Sequence, residues 1–203
     1  MKKLDAHTND MQNVMLVMPV TVPRDEAIEK KIDRLKVKMF GVTLGKFEVG
    51  NTRDVWIPYS LMTYAFLIDR KTIFNKTGSL NREGQLHFIF DYNEAHPFQY
   101  DIIDNGELKL KNIDCTKSGA VFLPQSVTDE EAHEKMEWHI QNRILRRIYS
   151  TNGKISLEKE KKFYRAAVEM EILYGANQHL RYAYLDDYGV DSEHILGLKY
   201  RIG

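Results

Sequence analysis

Apolar and polar positions alternate along this chain in two series of similar order. After a polar stretch, residues 1–12, Val14–Val22 is a short apolar strand. From about Arg24 to Met39 the apolar residues Ile28, Ile32, Leu35 and Met39 recur at spacings of four and three, which predicts an amphipathic helix. Pro23 suits its first turn, where the missing N–H is not needed, and Gly41 follows its end. Val55–Ile68, VWIPYSLMTYAFLI, carries no charge across fourteen positions and is rich in aromatic and β-branched residues. Such side chains fit a pleated, buried surface, so a long strand is expected. Pro58 cannot donate to a ladder and is expected near the strand start, at an edge or at a bulge. Gln85–Tyr92, Phe98–Ile103 and the alternating Glu107–Asp114 read as further strands.

The second series repeats this order. An apolar strand leads to a helix whose start, Thr128 with Glu131, is a capping box. Its buried stripe is expected at Ala132, Met136, Ile140, Ile144 and Ile148, widened by Leu145 and Tyr149. Acidic residues crowd its start and Arg143, Arg146 and Arg147 its end, which complements the helix dipole. Phe163–Tyr174 alternates as a strand with one wet face, Gly175-Ala-Asn177 is a tight turn, and His179–Tyr188 and Ile195–Ile202 are later strands.

The two series also match in residues. At an offset of 105, Pro19 matches Pro124, Val22 matches Val127, Glu26 matches Glu131 and Ala27 matches Ala132. Between the long strands the offset is about 108. Both Gln85–Tyr92 and His179–Tyr188 end in Asp-Tyr. The expected fold is therefore α+β: a duplicated unit of strand, helix and three-stranded antiparallel meander, with the helices packed on the sheet. Residues 13–118 and 119–203 are the two units after a tail of residues 1–12, and they either fold separately or share one sheet.

Two pieces together, the apolar-Pro strand feeding a helix that opens D-E-A (Met18–Ala27, with Leu123–Ala132) and the W-I-P-Y-S-L stretch (Trp56–Leu61), resemble a loose group of uncharacterised bacterial proteins. Some of that group carry a zinc ribbon in front; this chain has no cysteine pair for one. The resemblance implies no activity.

Composition narrows the functional classes. The 203 residues include 29 basic and 29 acidic side chains, and that balance disfavours a dedicated binder of nucleic acid. Cys115 is the only cysteine, so no internal disulfide is possible. No signal peptide or transmembrane helix is read, and a cytoplasmic location is expected.

The candidate chemistry is sparse. Asp91, His96, Asp101 and Asp104 fall within one short segment and could serve as a metal or acid–base site, against a reading as ordinary turn residues. Asp91 and Asp187, both followed by tyrosine, would pair if the halves faced each other. His133 and Glu137 share a helix face, Cys115 could act as a nucleophile, and the arginines of the second helix with Lys159, Lys161 and Lys162 could form a basic patch; each has a plainer structural reading. The leading expectation is a non-enzymatic binding or interaction module with no cofactor. Its contact residues would be Trp56, Tyr59, Tyr64, Tyr92 and Tyr188, on a sheet surface or open strand edge, and its partner a protein or peptide. Self-association is compatible with this. The alternatives are a small metal-dependent hydrolase using Asp91–Asp104 and a structural component of a larger assembly.

Overall fold

The computed structural model describes residues 14–39, 42–44, 47–70, 80–100, 107–114, 119–149 and 151–187. Two strands of unusual length organise it: β4 (Glu48–Arg70) and β9 (Lys154–Tyr174). They pair antiparallel along nearly their whole length, with register shifts between Val49 and Thr52 and between Thr63 and Tyr64. The charge-free run Val55–Ile68 is thus the core of a longer strand. Its charged continuations stay extended because they are paired, Glu48–Asp54 with the other long strand and Asp69–Arg70 with Asn81 and Leu80.

Each long strand turns back into a hairpin at its C-terminal end. β5 (Leu80–Asp91) pairs with β4 from Tyr59 onward, and β6 (His96–Gln99) extends this as an antiparallel meander. β10 (Asn177–Tyr184) pairs with β9, and Gly175 at φ +60 makes the tight turn between them. The expected last strand, Ile195–Ile202, lies outside the described residues.

Short strands complete an eight-stranded mixed sheet. β1 (Val14–Val17) lies parallel to β9 at Tyr164 and antiparallel to β7 (Lys111–Asp114). β8 (Val121–Phe122) lies parallel to β4 at Val55 and Trp56. A separate pair, β2 (Val37–Met39) with β3 (Val42–Leu44), follows the first helix. Pro58 lies well inside β4, away from both its start and its bulges. Its carbonyl accepts the Tyr92 N–H at 3.0 Å, so its missing N–H falls where β4 changes neighbour from β8 to β5.

Helix α1 (Arg24–Leu35) ends before the expected Met39, which belongs to β2. Its residues Ala27, Ile28, Ile32 and Leu35 pack with Val168, Met170, Ile172 and Ala183. Helix α2 (Asp129–His139) has both hydrogen bonds of its capping box, and Ala132 and Met136 pack with Met62, Tyr64, Ile68, Phe88 and Phe90. Each helix therefore covers the hairpin of the other half of the chain, not its own. Thr52 opposite Met170 and Asp54 opposite Val168 place both helices on the even-numbered face of β4. The odd-numbered face, with Val55, Ile57 and Tyr59, packs with Met18, Ile89, Phe98, Tyr100, Leu123 and Phe163.

After α2 the chain makes a π-helical turn, Ile140–Leu145, before α3 (Arg146–Tyr149). The wider turn rotates the apolar stripe. Ile140, Ile144 and Leu145 are buried and Tyr149 packs against the core, but Ile148, expected inside, is 49% exposed. The fold is thus α+β and dominated by its sheet. Among the described residues no helix is long and apolar enough to cross a membrane, which leaves β-barrels unaddressed.

Candidate functional site

The aromatic residues expected to form a contact surface are interior. Tyr59, Tyr64 and Tyr92 are at most 1% exposed and Trp56 is 7% exposed, stacked on Phe122. The sheet's two faces are both covered at these positions, by the helices on one and by Met18, Tyr100 and Leu123 on the other, so the strands have no bare aromatic face here. Tyr188 lies outside the described residues, as do Asp101, Asp104 and Cys115.

Asp91 is buried and its carboxylate is fully engaged. Tyr59 donates its hydroxyl to Oδ2 at 2.7 Å, and the Asn93 and Glu94 N–H groups donate to Oδ1 at 2.8 and 3.0 Å. It closes the turn after β5. Burial raises its pKa, against the lowering effect of those bonds. His96 packs on the Phe98 ring, and burial lowers its pKa. Asp187 is exposed, and its N–H donates to Thr21 Oγ1 at 2.8 Å. Asp91 and Asp187 therefore have different partners and do not share one.

His133 meets Glu160, not Glu137: Nε2 lies 3.1 Å from Oε2, and the other Glu160 oxygen accepts from Ser60 and Tyr92. No group of three potential ligands able to hold a metal occurs among the described residues. Of the suggested basic patch, Arg143 lies over the Trp138 ring, Arg146 bonds Asn142 and Asn152, and Lys162 pairs with Asp129. Among the described residues β4 is the strand paired with β9 over Lys154–Lys162, and the charges of Lys154 and Glu158–Lys162 there oppose addition of a further strand.

The site the geometry offers lies elsewhere, around a residue that interrupts the apolar part of β9. Arg165 is 2% exposed. Its guanidinium forks onto Asp186, with Nε to Oδ2 at 2.7 Å and a terminal nitrogen to Oδ1 at 3.0 Å. It also stacks over the Tyr184 ring at 3.7 Å. Burial works against the charge, but Asp186 and Tyr59 outweigh it and hold the guanidinium well above its ordinary pKa. The Tyr59 and Tyr184 hydroxyls, 3.2 Å apart, link this pair to Asp91. Burial, with Tyr184 and Asp91 beside it, pushes the Tyr59 phenol far up.

Between α1 and β10 runs a groove of about 180 Å³. Its lining includes Val22, Ala27, Lys30, Lys31 and Arg34 on the side of α1, Tyr182, Ala183 and Tyr184 of β10, and Arg165, Asp186 and Asp187. Lys30 and Arg34, four apart and both exposed, lie on one side of the helix. Lys30 also pairs with Glu26 at 2.6 Å. The signal that could have found this site was a lone arginine in FYRAAV, within an otherwise apolar strand. No family model, curated protein or solved structure matches the chain.

On the other hairpin, His139 packs edge-on to Phe88 at 5.9 Å. Burial, with His96 and Arg143 nearby, pushes its pKa down to about 4. The unfolded chain, near 6.5, then binds more protons between these values, so stability falls as pH drops through that window, by about 2–3 kcal/mol from this group. Urea midpoints at pH 7 and pH 4.5 check this. His139→Phe should lose part of the acid sensitivity; an unchanged pH difference would contradict it.

Proposed function

We propose that the chain is a non-enzymatic binding module made of two related halves, residues 13–118 and 119–203, and that the groove between α1 and β10 is where it binds. Matched hydrogen bonds support the relation between the halves. Met18 N–H donates to Tyr164 and Leu123 N–H to Trp56, both at 2.9 Å. Ala27 N–H donates to Pro23 and Ala132 N–H to Thr128, both at 3.0 Å. Tyr92 N–H donates to Pro58 and Leu185 N–H to Ala166, again both at 3.0 Å. Even a surface ion pair recurs, with its charges exchanged: Arg24 with Asp54, and Asp129 with Lys162.

These correspondences equate positions, and one contrast among them carries the functional reading. One turn beyond the matched alanines, α2 has buried Met136 where α1 has Lys31. Two residues before the matched Tyr92 and Leu185, β5 has buried Phe90 where β10 has Ala183. The helix–hairpin contact is therefore packed solid in one half. In the other, the same place has lost a phenyl ring, gained cationic side chains and opened into the groove. A hollow that packing alone would have filled is what a ligand site requires. We place the protein in the cytoplasm on the grounds of its single cysteine.

A fragment library screened by methyl chemical shifts tests the reading. Perturbations are expected to gather at Ala27, Ala183 and Val22. Hits confined to the surroundings of Glu160 and His133, or none at the groove, would overturn it.

A further inference from the structure

We propose that this groove takes an extended peptide segment of a partner protein, which adds to β10 as a further antiparallel strand. The inference rests on the relation between the halves and on the groove being the binding site, and it adds the class of the occupant.

The other hairpin shows what fills the corresponding place. There β6 pairs with Ile89, Phe90 and Asp91 of β5 and runs close to α2. The relation used above sets Tyr92 against Leu185, and a further pair of bonds agrees with it. Ser126 N–H donates to the Tyr92 carbonyl at 2.8 Å, and Thr21 N–H to the Leu185 carbonyl at 2.9 Å. Ile89, Phe90 and Asp91 then correspond to Tyr182, Ala183 and Tyr184. On the helices, Ala132, Met136 and His139 correspond to Ala27, Lys31 and Arg34. Each of these counterparts on α1 and β10 lines the groove. The groove is thus the counterpart of the position that β6 takes beside β5.

The lining itself points to a strand edge. Neighbouring strand residues face opposite sides of a sheet, so a hollow over one face meets every second residue. This one meets Tyr182, Ala183 and Tyr184 in succession and therefore follows the side of the strand. Among the described residues β9 is the strand paired with β10, on its other side. Leu185 N–H points toward β9, where it donates to Ala166, so by alternation the main-chain groups of Tyr182 point away from β9. On β5 the corresponding side carries the pairing with β6, and just beyond it Tyr100 N–H donates to His87 at 2.7 Å. Pairing of this kind holds extended peptides through their backbone, while alternate side chains select them.

The helix-side position sets the selection. In register with β6, the peptide residue opposite Ala183 stands where Pro97 stands opposite Phe90. Ala183 packs on the side covered by α1, as Phe90 does on the side covered by α2. An alanine where the other hairpin has a phenyl ring leaves room there for a large apolar side chain of the peptide, near Ala27 and Val22. A groove of about 180 Å³ is smaller than the roughly 300 Å³ at which drug-sized pockets begin, which suits one such side chain on a strand that otherwise runs along the edge.

The probe is a synthetic capped peptide copying Glu94–Tyr100 with the change Pro97→Phe, titrated into the full chain with labelled alanine methyls and backbone amides. Saturable shifts are expected at Ala27, Ala183 and Tyr182, and hydrogen exchange of the Tyr182 amide should slow as peptide is added. Alanine in place of the introduced phenylalanine should weaken binding about tenfold. N-methylation of the peptide at Phe98, whose N–H alternates with that of Tyr100 to face β5, should also weaken it about tenfold or more. An N-methylated peptide that binds equally well would overturn strand addition. Slow exchange at Tyr182 before any peptide is added would mean that this edge is already paired within the chain, and would overturn the partner. Small fragments that shift the groove methyls while no peptide does would overturn the peptide and leave the groove as the site. Peptide and fragments that both perturb only other places would remove the groove as well.

Discussion

Replacing Asp186 with asparagine is expected to lower folding stability by about 3–5 kcal/mol, read as the urea midpoint at constant slope. The cost arises from what is left behind. Arg165 and Asp186 are 2% and 3% exposed at their side chains, and removing one charge strands the other where water cannot solvate it. The asparagine keeps the shape and one acceptor, so the loss reports charge more than packing. The pair itself is not required for a stable fold in the same way. A double replacement, Arg165→Met with Asp186→Leu, should recover most of the loss, because it removes both charges of the pair together. A single-variant loss under about 1 kcal/mol would mean that the guanidinium reaches solvent.

The second large effect is expected at Met136. Its truncation to alanine should cost about 2–5 kcal/mol, from lost burial and from the cavity left among rigid aromatic neighbours. Met136 is fully buried with Met62, Tyr64, Phe88 and Phe90, so little can move in to fill the space. Ile148→Ala on the same helical segment should cost under about 0.5 kcal/mol, because Ile148 is 49% exposed. The difference measures how unequally the two residues are buried. Equal costs at the two positions would mean that Ile148 is inside.

Much of the architecture was legible in the residues. The two helices, the capping box at Thr128 and the run Val55–Ile68 follow from periodicity and propensity, which are local properties. What the sequence hid was non-local. The charged half of β9, Lys154–Lys162, reads as a loop because Lys and Glu disfavour strands, yet pairing with β4 holds it extended. The swap of helices between hairpins leaves no local mark, since an apolar stripe does not say which sheet it covers. The tyrosines of β4, and Tyr92 in the turn after β5, suit both a core and an interface as aromatics; only the covering layers distinguish the two. The matching Asp-Tyr endings misled in a similar way. In the proposed relation between the halves Tyr92 corresponds to Leu185, so Asp91 corresponds to Tyr184, and the buried carboxylate near the end of β10 is Asp186. Arg165 carries no periodic signal, because one charge in a strand is an exception to the pattern rather than part of it.

The exchanged helices are the feature from which the groove and its contrast with the packed half both follow. Methyl–methyl NOEs in selectively labelled protein address them most directly. Cross-peaks from Ala27 to Val168, Met170 or Ala183, together with cross-peaks from Ala132 to Met62, are the expected result. Cross-peaks from Ala27 to Met62, or from Ala132 to Val168 or Met170, would place each helix on its own hairpin and contradict the account.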